Sequence, residues 1–269
     1  MTNVSYRDFT GTGAENYERY FVPTIAKAAS VDFMHTAALQ RGERVLDVAC
    51  GTGLIARLAA ELVGPTGSVA GVDLAPDMID VARATAAPAG PVIDWHVSDA
   101  GSLPIPDDSH DVVLCQMGLM FIEDRAAAIA EMRRVLVPGG RVVVNTPGPI
   151  QEPFEQLEAA IVDHISPDLG AFVSAVFSMS EPDQVVGLLT DTGLTDVTAT
   201  LEPAGLRLPG PADFLWQYIN LTPMAPLVDK APSQARDAME QHVVESWKPF
   251  VTEGITSFEQ PFVIATGTK

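Results

Sequence analysis

Residues 45–59 read VLDVACGTGLIARLA, which places Asp47 four positions ahead of Gly51 and puts Gly53 two further on. A glycine loop between a strand and a helix holds a ligand's polar atoms, because its backbone amides point outward and no Cβ blocks approach. Gly51, Gly53 and Ala56 fit the G-x-G-x-x-A pattern of dinucleotide phosphate loops. Asp73, twenty residues after Gly53, stands where such folds carry a ribose-binding acid. A nicotinamide oxidoreductase is therefore one reading. Asp47 opposes it, since a carboxylate so close beneath the loop repels a pyrophosphate and suits a cationic amine. Asp73 can accept from two ribose hydroxyls. In SDAGSLPIPDDSHDVV, the Asp99 carboxylate can accept from an exocyclic amine while the Ala100 amide donates to a ring nitrogen. Leu74 and Met78 are placed to cover the apolar faces of an adenine. Together these residues describe a ligand with an amine, a ribose and an adenine, and no phosphates.

The elements that must position these groups follow from the hydrophobic pattern. Residues 14–38 read as a helix kinked at Pro23. RVLDVAC, SVAGVDL, VIDWHV, DVVLCQM and RVVVNT are short apolar runs of the buried-strand type. Helices lie between them at GLIARLAAELV, PDMIDVARATA and residues 124–136, the last with acids at its start and Arg133 and Arg134 near its end, as the helix dipole favours. The fold class is α/β, a doubly wound, mostly parallel sheet. After residue 147 the alternation breaks. QLEAAIVDHI and EPDQVVGLLTDTG read as helices and TDVTATL as a strand. A long proline-punctuated helical segment occupies residues 203–254, and FVIATGT closes the chain as a strand. A last strand without its own crossover helix can pair antiparallel with its predecessor.

Composition sets the outer bounds. The chain has 269 residues, enough for one large α/β domain with an elaboration or for two small domains, and with 47% of them hydrophobic a sizeable core can be buried. Its 16 Lys and Arg against 35 Asp and Glu give a net charge of −19. So acidic a surface repels phosphate backbones and anionic lipid heads, so neither nucleic acid nor membrane is expected as a partner. Cys50 and Cys115 sit in apolar runs and read as buried, reduced thiols. Residues 1–10 carry no basic-then-apolar leader, and no apolar run reaches the ~18 residues of a membrane span. A cytoplasmic protein is expected, with a homodimer left open.

The order LDVACGTG, VDLAPDMIDVAR, SDAGSLPIPDDSHDVV and RRVLVPGGRVVV resembles the class I S-adenosylmethionine-dependent methyltransferases, and among them the small-molecule branch of quinone-biosynthesis methylases. The resemblance is strong over residues 14–146 and looser over the closing strands. It implies a single domain over residues 1–269, with a Rossmann-like seven-stranded sheet whose last strand is antiparallel. Residues 14–146 would bind the cofactor, and residues 151–180 and 203–254 would form helical lid elements over a small organic acceptor. The cofactor would be S-adenosyl-L-methionine and its product S-adenosyl-L-homocysteine. Carried over by position, Ala49, Gly51 and Gly53 border the methionine end, with Asp47 near its amino group. Asp73 binds the ribose, Asp99 and Ala100 read the adenine, and Gln116 lines the methyl-donor pocket through its backbone. Tyr17 and Tyr20 resemble residues that close the pocket from the N-terminal helix, the alternative being core packing of that helix. A silent cofactor-binding protein acting through a partner fits the same motifs.

The remaining candidates are weaker by residue type. His35, His96 and His110 read as structural or solvated. His164 and His242 lie in the segments that cover the acceptor and are the candidate general bases for a hydroxyl acceptor. Trp216, Tyr218, Trp247 and Phe250 could build an aromatic acceptor pocket or the core of the late insertion. Metal-dependent catechol methylases place acids at the ends of strands four and five, where this chain has CQMG and NTPG, so no metal site is expected. Turnover is accordingly predicted to survive EDTA; activity lost to the chelator and restored by magnesium would contradict this.

Overall fold

In the computed structural model, which describes residues 13–86 and 90–269, one sheet organises the chain. Residues 1–10, read above for a leader, lie outside the described part. Strands β1 (Arg44–Val48), β2 (Ser68–Asp73), β3 (Ile93–Val97), β4 (His110–Gln116) and β5 (Leu136–Pro147) run parallel. Strands β6 (Thr195–Leu208) and β8 (Ile255–Thr268) complete the order β3-β2-β1-β4-β5-β8-β6, and the two-residue β7 (Val251–Thr252) folds back on β8. β8 is antiparallel to both neighbours, as the expected fold requires. β7 is the one strand beyond the expected seven. The central strands earn their place by being apolar on both faces: Val45, Leu46 and Val48 of β1 and Val112 through Cys115 of β4 are all fully buried.

Helices cover both faces. An N-terminal helix is built from α1 (Gly13–Asn16), a π-helical stretch (Tyr17–Ala26) and α2 (Lys27–Ala37). Pro23 lies inside the π-helical part, where it has no N–H to give, and Lys27 donates instead to the carbonyl of Val22, one residue further than in an α-helix. The expected kink is thus a widened turn. Next come α3 (Leu54–Val63), α4 (Pro76–Ala84) and α5 (Arg125–Val135), the last capped by the Asp124 carboxylate on the Ala127 amide. α6 (Glu152–His164), α7 (Pro167–Val176) and α8 (Pro182–Asp191) follow β5. α9 (Pro211–Asn220), α10 (Ala225–Val228) and α11 (Ser233–Ser246) fill the gap between β6 and β8. Prolines start α4, α7, α8 and α9, where the missing N–H costs nothing.

Three strand boundaries differ from the sequence reading. β5 starts at Leu136 and carries the Pro138–Gly140 turn inside it. Gly139 takes a left-handed φ of 81° and donates to the carbonyl of Lys269, which ties the turn to the chain's last residue. β6 continues to Leu208 rather than stopping near residue 201, and β8 begins at Ile255 rather than Phe262. Beyond the point where β5 ends (Pro147 opposite Phe262) the two continue as a ribbon, with Leu208 opposite Thr256. Ala204, Leu206 and Leu208 are buried at alternate positions along it, the period of a half-buried strand. Pro203 stands opposite Pro261, a pairing open to β6 because it is the sheet's edge strand. The segment inserted between these two strands is therefore residues 209–254, not 203–254.

The insertion packs into a second core shared with its neighbours. Ile25 and Ala29 of the N-terminal helix, Phe154, Leu157 and Ile161 of α6, Leu206 and Phe262 of the ribbon, and Phe214, Met239 and Trp247 of the insertion form one buried cluster. Trp247 is 0% exposed, lies 5.4 Å from the Phe214 ring, and donates its indole N–H to the Pro153 carbonyl at 2.9 Å. Trp247→Ala is expected to destabilise the protein by about 3–5 kcal/mol through lost burial, the cavity left behind and an orphaned carbonyl. Chemical denaturation followed by circular dichroism reads this; an unchanged midpoint would mean that the cluster does not bear on stability.

Candidate cofactor and methyl-transfer site

The strand ends of β1, β2 and β4 converge on a cavity lined by Tyr17, Val22, Ala26, Asp47, Ala49, Cys50, Thr52, Ile55, Gln116 and Met117, among others. Its floor is the glycine loop. Ala49, Gly51 and Gly53 all take left-handed backbone (φ 55°, 54° and 87°), so the loop reverses tightly between β1 and α3. The two glycines serve different neighbours. A Cβ on Gly53 would meet the Trp95 ring at 2.3 Å, so that glycine makes room for a tryptophan from β3. A Cβ on Gly51 would lie 3.6 Å from the Tyr17 ring, which covers the loop from the N-terminal helix.

Asp47 is 1% exposed. One carboxylate oxygen accepts from the Ala56 amide at 2.9 Å, and the other is enclosed without a partner among the described residues. Burial pushes its pKa well above the usual carboxylate range, and the nearby Asp73 adds to the rise against the Ala56 bond and Arg57. The buried Thr52 hydroxyl also lacks a partner. The same cavity also has Val22, Ala26, Ile55 and Met117 in its lining, all apolar. Unpaired oxygen and hydrocarbon in one lining fit an ammonium group on an alkyl arm, which is the methionine end of S-adenosylmethionine.

Asp73 has a second task that the sequence did not reveal. Its carboxylate accepts from the Gly51 amide at 2.8 Å and the Ala75 amide at 2.9 Å, so it latches the glycine loop to the end of β2. Each oxygen keeps a lone pair for a ribose hydroxyl. Burial raises its pKa, and the amide bonds oppose that rise. Asp99 accepts from the Gly101 amide at 2.9 Å, and Ala100 packs half-buried against the sheet core. Leu74, just past the end of β2, is an open apolar face, 41% exposed. Met78 is not: it is buried against Ala14 and Ala75 beneath the N-terminal helix.

Other expectations need correction. Tyr17 lines the cavity, and its hydroxyl pKa is raised by burial and by the charges of Asp73, Glu18 and Asp47. Tyr20 does not line it; the Arg19 guanidinium lies over its ring at 5.9 Å. Gln116 lines the cavity, and its side-chain amide donates to the Ala26 carbonyl at 2.9 Å and so fastens the N-terminal helix. His164 and His242 do not line the cavity. They meet each other, Nε2 to Nδ1 at 3.2 Å, and tie α6 to α11. Trp247 and Tyr218 are buried in the lid core, Trp216 donates to Glu240, and Phe250 packs edge-on against Phe258, so these four build the insertion's interior rather than an open pocket.

Two site residues went unread. Asn145, at 0% exposure, accepts from the Met117 amide at 2.9 Å and donates to the Ala29 carbonyl at 3.2 Å. It thereby holds Met117, whose φ is 52°, against the cavity. A lone amide closing the apolar run RVVVN was the available signal. Arg57 ion-pairs with Glu18 at 2.9 Å and donates to the Thr52 carbonyl, joining the N-terminal helix to the loop. Nothing local marks that pair.

The sheet order, the loop and the acid beneath it define a class I methyltransferase site. A family model described as a methyltransferase domain matches residues 45–140. The ubiquinone/menaquinone biosynthesis C-methyltransferase UbiE of Cupriavidus taiwanensis is 35% identical over 172 residues, which cover 60% of this chain and 71% of that one. Demethylmenaquinone methyltransferase of Deinococcus radiodurans is 36% identical over 162 residues, covering 56% and 67%. Among solved structures, phosphoethanolamine N-methyltransferase 2 of Haemonchus contortus in complex with S-adenosyl-L-methionine superposes with a TM-score of 0.60 at 21% identity, over 100% of this chain and 60% of that one. The YcgJ protein of Bacillus subtilis gives 0.58 at 19%, over 91% and 98%. The chain belongs to the class I S-adenosylmethionine-dependent methyltransferases, in the branch of the quinone-biosynthesis methylases. It is an enzyme whose methyl donor is S-adenosylmethionine.

Asp47 makes cofactor binding depend on pH. Without a cation nearby the buried carboxyl keeps its proton above the ordinary carboxylate range, whereas pairing with an ammonium requires the carboxylate. Affinity for S-adenosylhomocysteine is therefore expected to fall as pH drops through that raised pKa, with a proton released on binding. Calorimetry in buffers of different ionisation enthalpy measures both, and Asp47→Asn should flatten the dependence. A wild type with no pH dependence and no proton release would remove Asp47 from the ammonium site.

Proposed function

We propose that the enzyme methylates a ring carbon of a small hydroxylated aromatic acceptor of quinol type, with Asp47 and Asp73 holding the methionine and ribose ends of the cofactor. One observation carries the acceptor's location. Met117 and Phe121, just past β4, pack against both the sheet core and the lid core, so the cofactor cavity and the apolar lid share a wall there. Phe121 also stacks on Phe172 of α7, with ring centroids 6.1 Å apart. A flat apolar ring suits that wall. The names of the relatives, a ubiquinone/menaquinone C-methyltransferase and a demethylmenaquinone methyltransferase, support the same acceptor class.

The bound cofactor supplies an electrophilic methyl group on a sulfonium sulfur. The chain's part is to place the nucleophile and keep water out. A ring carbon beside a phenolic oxygen is already electron-rich, which is consistent with the two lid histidines being occupied with each other. The N-terminal helix provides the closure: Tyr17 covers Gly51, and Gln116, Asn145 and Arg57 each fasten that helix to the sheet side. Among the described residues no helix is long and apolar enough to cross a membrane.

With S-adenosylmethionine and chemically reduced demethylmenaquinone, mass spectrometry is expected to show a product carrying one added carbon-bound methyl group. Methylation on oxygen, or no transfer to this acceptor alongside turnover of a non-aromatic amine, would overturn the proposal.

A further inference from the structure

Gln260 lies on β8 two residues before the last pairing of that strand with β5, where the ribbon leaves the sheet. It is 2% exposed. Its side-chain nitrogen donates to the carbonyls of Pro149 at 3.2 Å and Pro261 at 2.9 Å. Both of those neighbours can only accept, so the nitrogen end of the amide is fixed on them and the oxygen end is turned away. That oxygen is enclosed and meets no donor among the described residues. Around it the surroundings are apolar: Ala204 stands opposite on β6, and Phe258 and Phe262 flank it on the same face of the strand. A buried amide oxygen without a donor is an uncompensated cost.

Its position links that cost to the acceptor. Pro149 is the second residue after β5, at the strand ends where open α/β sheets bind ligands. The lid core beside Gln260 also takes in Ile25 and Ala29 from the N-terminal helix, whose Val22 and Ala26 line the cofactor cavity. We propose that Gln260 is a specificity-determining residue whose unpartnered amide oxygen accepts a hydrogen bond from a hydroxyl on the acceptor ring. The proposal rests on the quinol reading above and sharpens it. A ring whose oxygens are oxidised to carbonyls or capped by methyl groups has no proton to give, and binding it strands the oxygen of Gln260. A buried acceptor of this kind selects for the hydroxyl, and so for the reduced ring over the oxidised one.

The test uses the whole protein loaded with S-adenosylhomocysteine and titrated with 1-naphthol and 1-methoxynaphthalene, which share a ring system and differ in the O–H. Calorimetry is expected to show the wild type binding 1-naphthol tighter by ~10-fold or more. Gln260→Met and Gln260→Asn, the second keeping an amide but withdrawing it by one methylene, should each lose that preference while S-adenosylhomocysteine affinity stays unchanged. A wild type with no preference overturns the assignment, as does a preference that persists in either folded variant. Methyl transfer to demethylmenaquinol, assayed on the same wild-type preparation, separates the two readings. Transfer without a naphthol preference removes Gln260's role and leaves the quinol acceptor. A Gln260-dependent preference without transfer removes the quinol acceptor and leaves hydroxyl recognition.

Discussion

The carboxylate of Asp47 is held under the glycine loop with one oxygen bonded to the Ala56 amide and the other bonded to nothing among the described residues. That half-satisfied acid sits at the centre of the sheet, on β1, where both faces are closed by apolar side chains. Its influence spreads through the low dielectric around it. The Tyr17 hydroxyl and the Cys50 thiol are driven to hold their protons, chiefly by burial and then by the charges of Asp47 and Asp73, and Cys115 is pushed up to about 12 by the same combination. Tyr17, Cys50 and Cys115 therefore all keep their protons around the enclosed acid. The backbone strain at Ala49 and the anchoring of the loop by Asp73 follow from the need to close the chain over this group.

The same requirement accounts for the N-terminal helix. The wider π-helical turn around Pro23 keeps α1 and α2 in one continuous rod, and the Gln116 side-chain amide donates to the Ala26 carbonyl on it. Three polar side chains from three different elements grip that rod: Gln116 from β4, Asn145 from β5 and Arg57 from α3. Each uses a bond to a backbone carbonyl or a carboxylate rather than a further apolar contact. Such bonds can be exchanged with water at modest net cost. These bonds act together with the buried Ile25, Ala29, Phe33 and Ala37, which seat the same helix on the two apolar cores.

Much of this was legible in the sequence because the relevant signals are local. The buried-strand runs, the prolines that start helices, and the spacing of Asp47, Gly51, Gly53, Asp73 and Asp99 fix the parallel half of the sheet and the cofactor loop. What escaped depends on partners distant in the chain. TDVTATL was read as a strand ending at Leu201, with residue 203 opening the next segment; only the pairing with β8 shows that the edge strand runs on through Pro203 and Gly205. Met78 has the right periodicity for a ligand face, yet Ala14 and Ala75 claim it. His164 and His242 are 78 residues apart, and no property of either helix announces that the rings touch. The aromatic residues of the insertion were ambiguous by type alone, and the depth of Trp247 decides for core.

The β6–β8 ribbon has a consequence for how this enzyme can diversify. The lid departs after Leu208 and returns before Thr256, two residues that face each other across a ladder of hydrogen bonds. Its ends are thus already joined by the fold, and a longer or shorter excursion between them adds little closure entropy, since that cost grows only with the logarithm of length. Nor does the change reach the strands that carry Asp47 and Asp73, which lie on the other side of β4 and β5. Insertion or deletion at this single clamped point can therefore vary the segment between the two strands without altering the strands that carry the glycine loop. Length in this part of the chain is a nearly free variable of the fold.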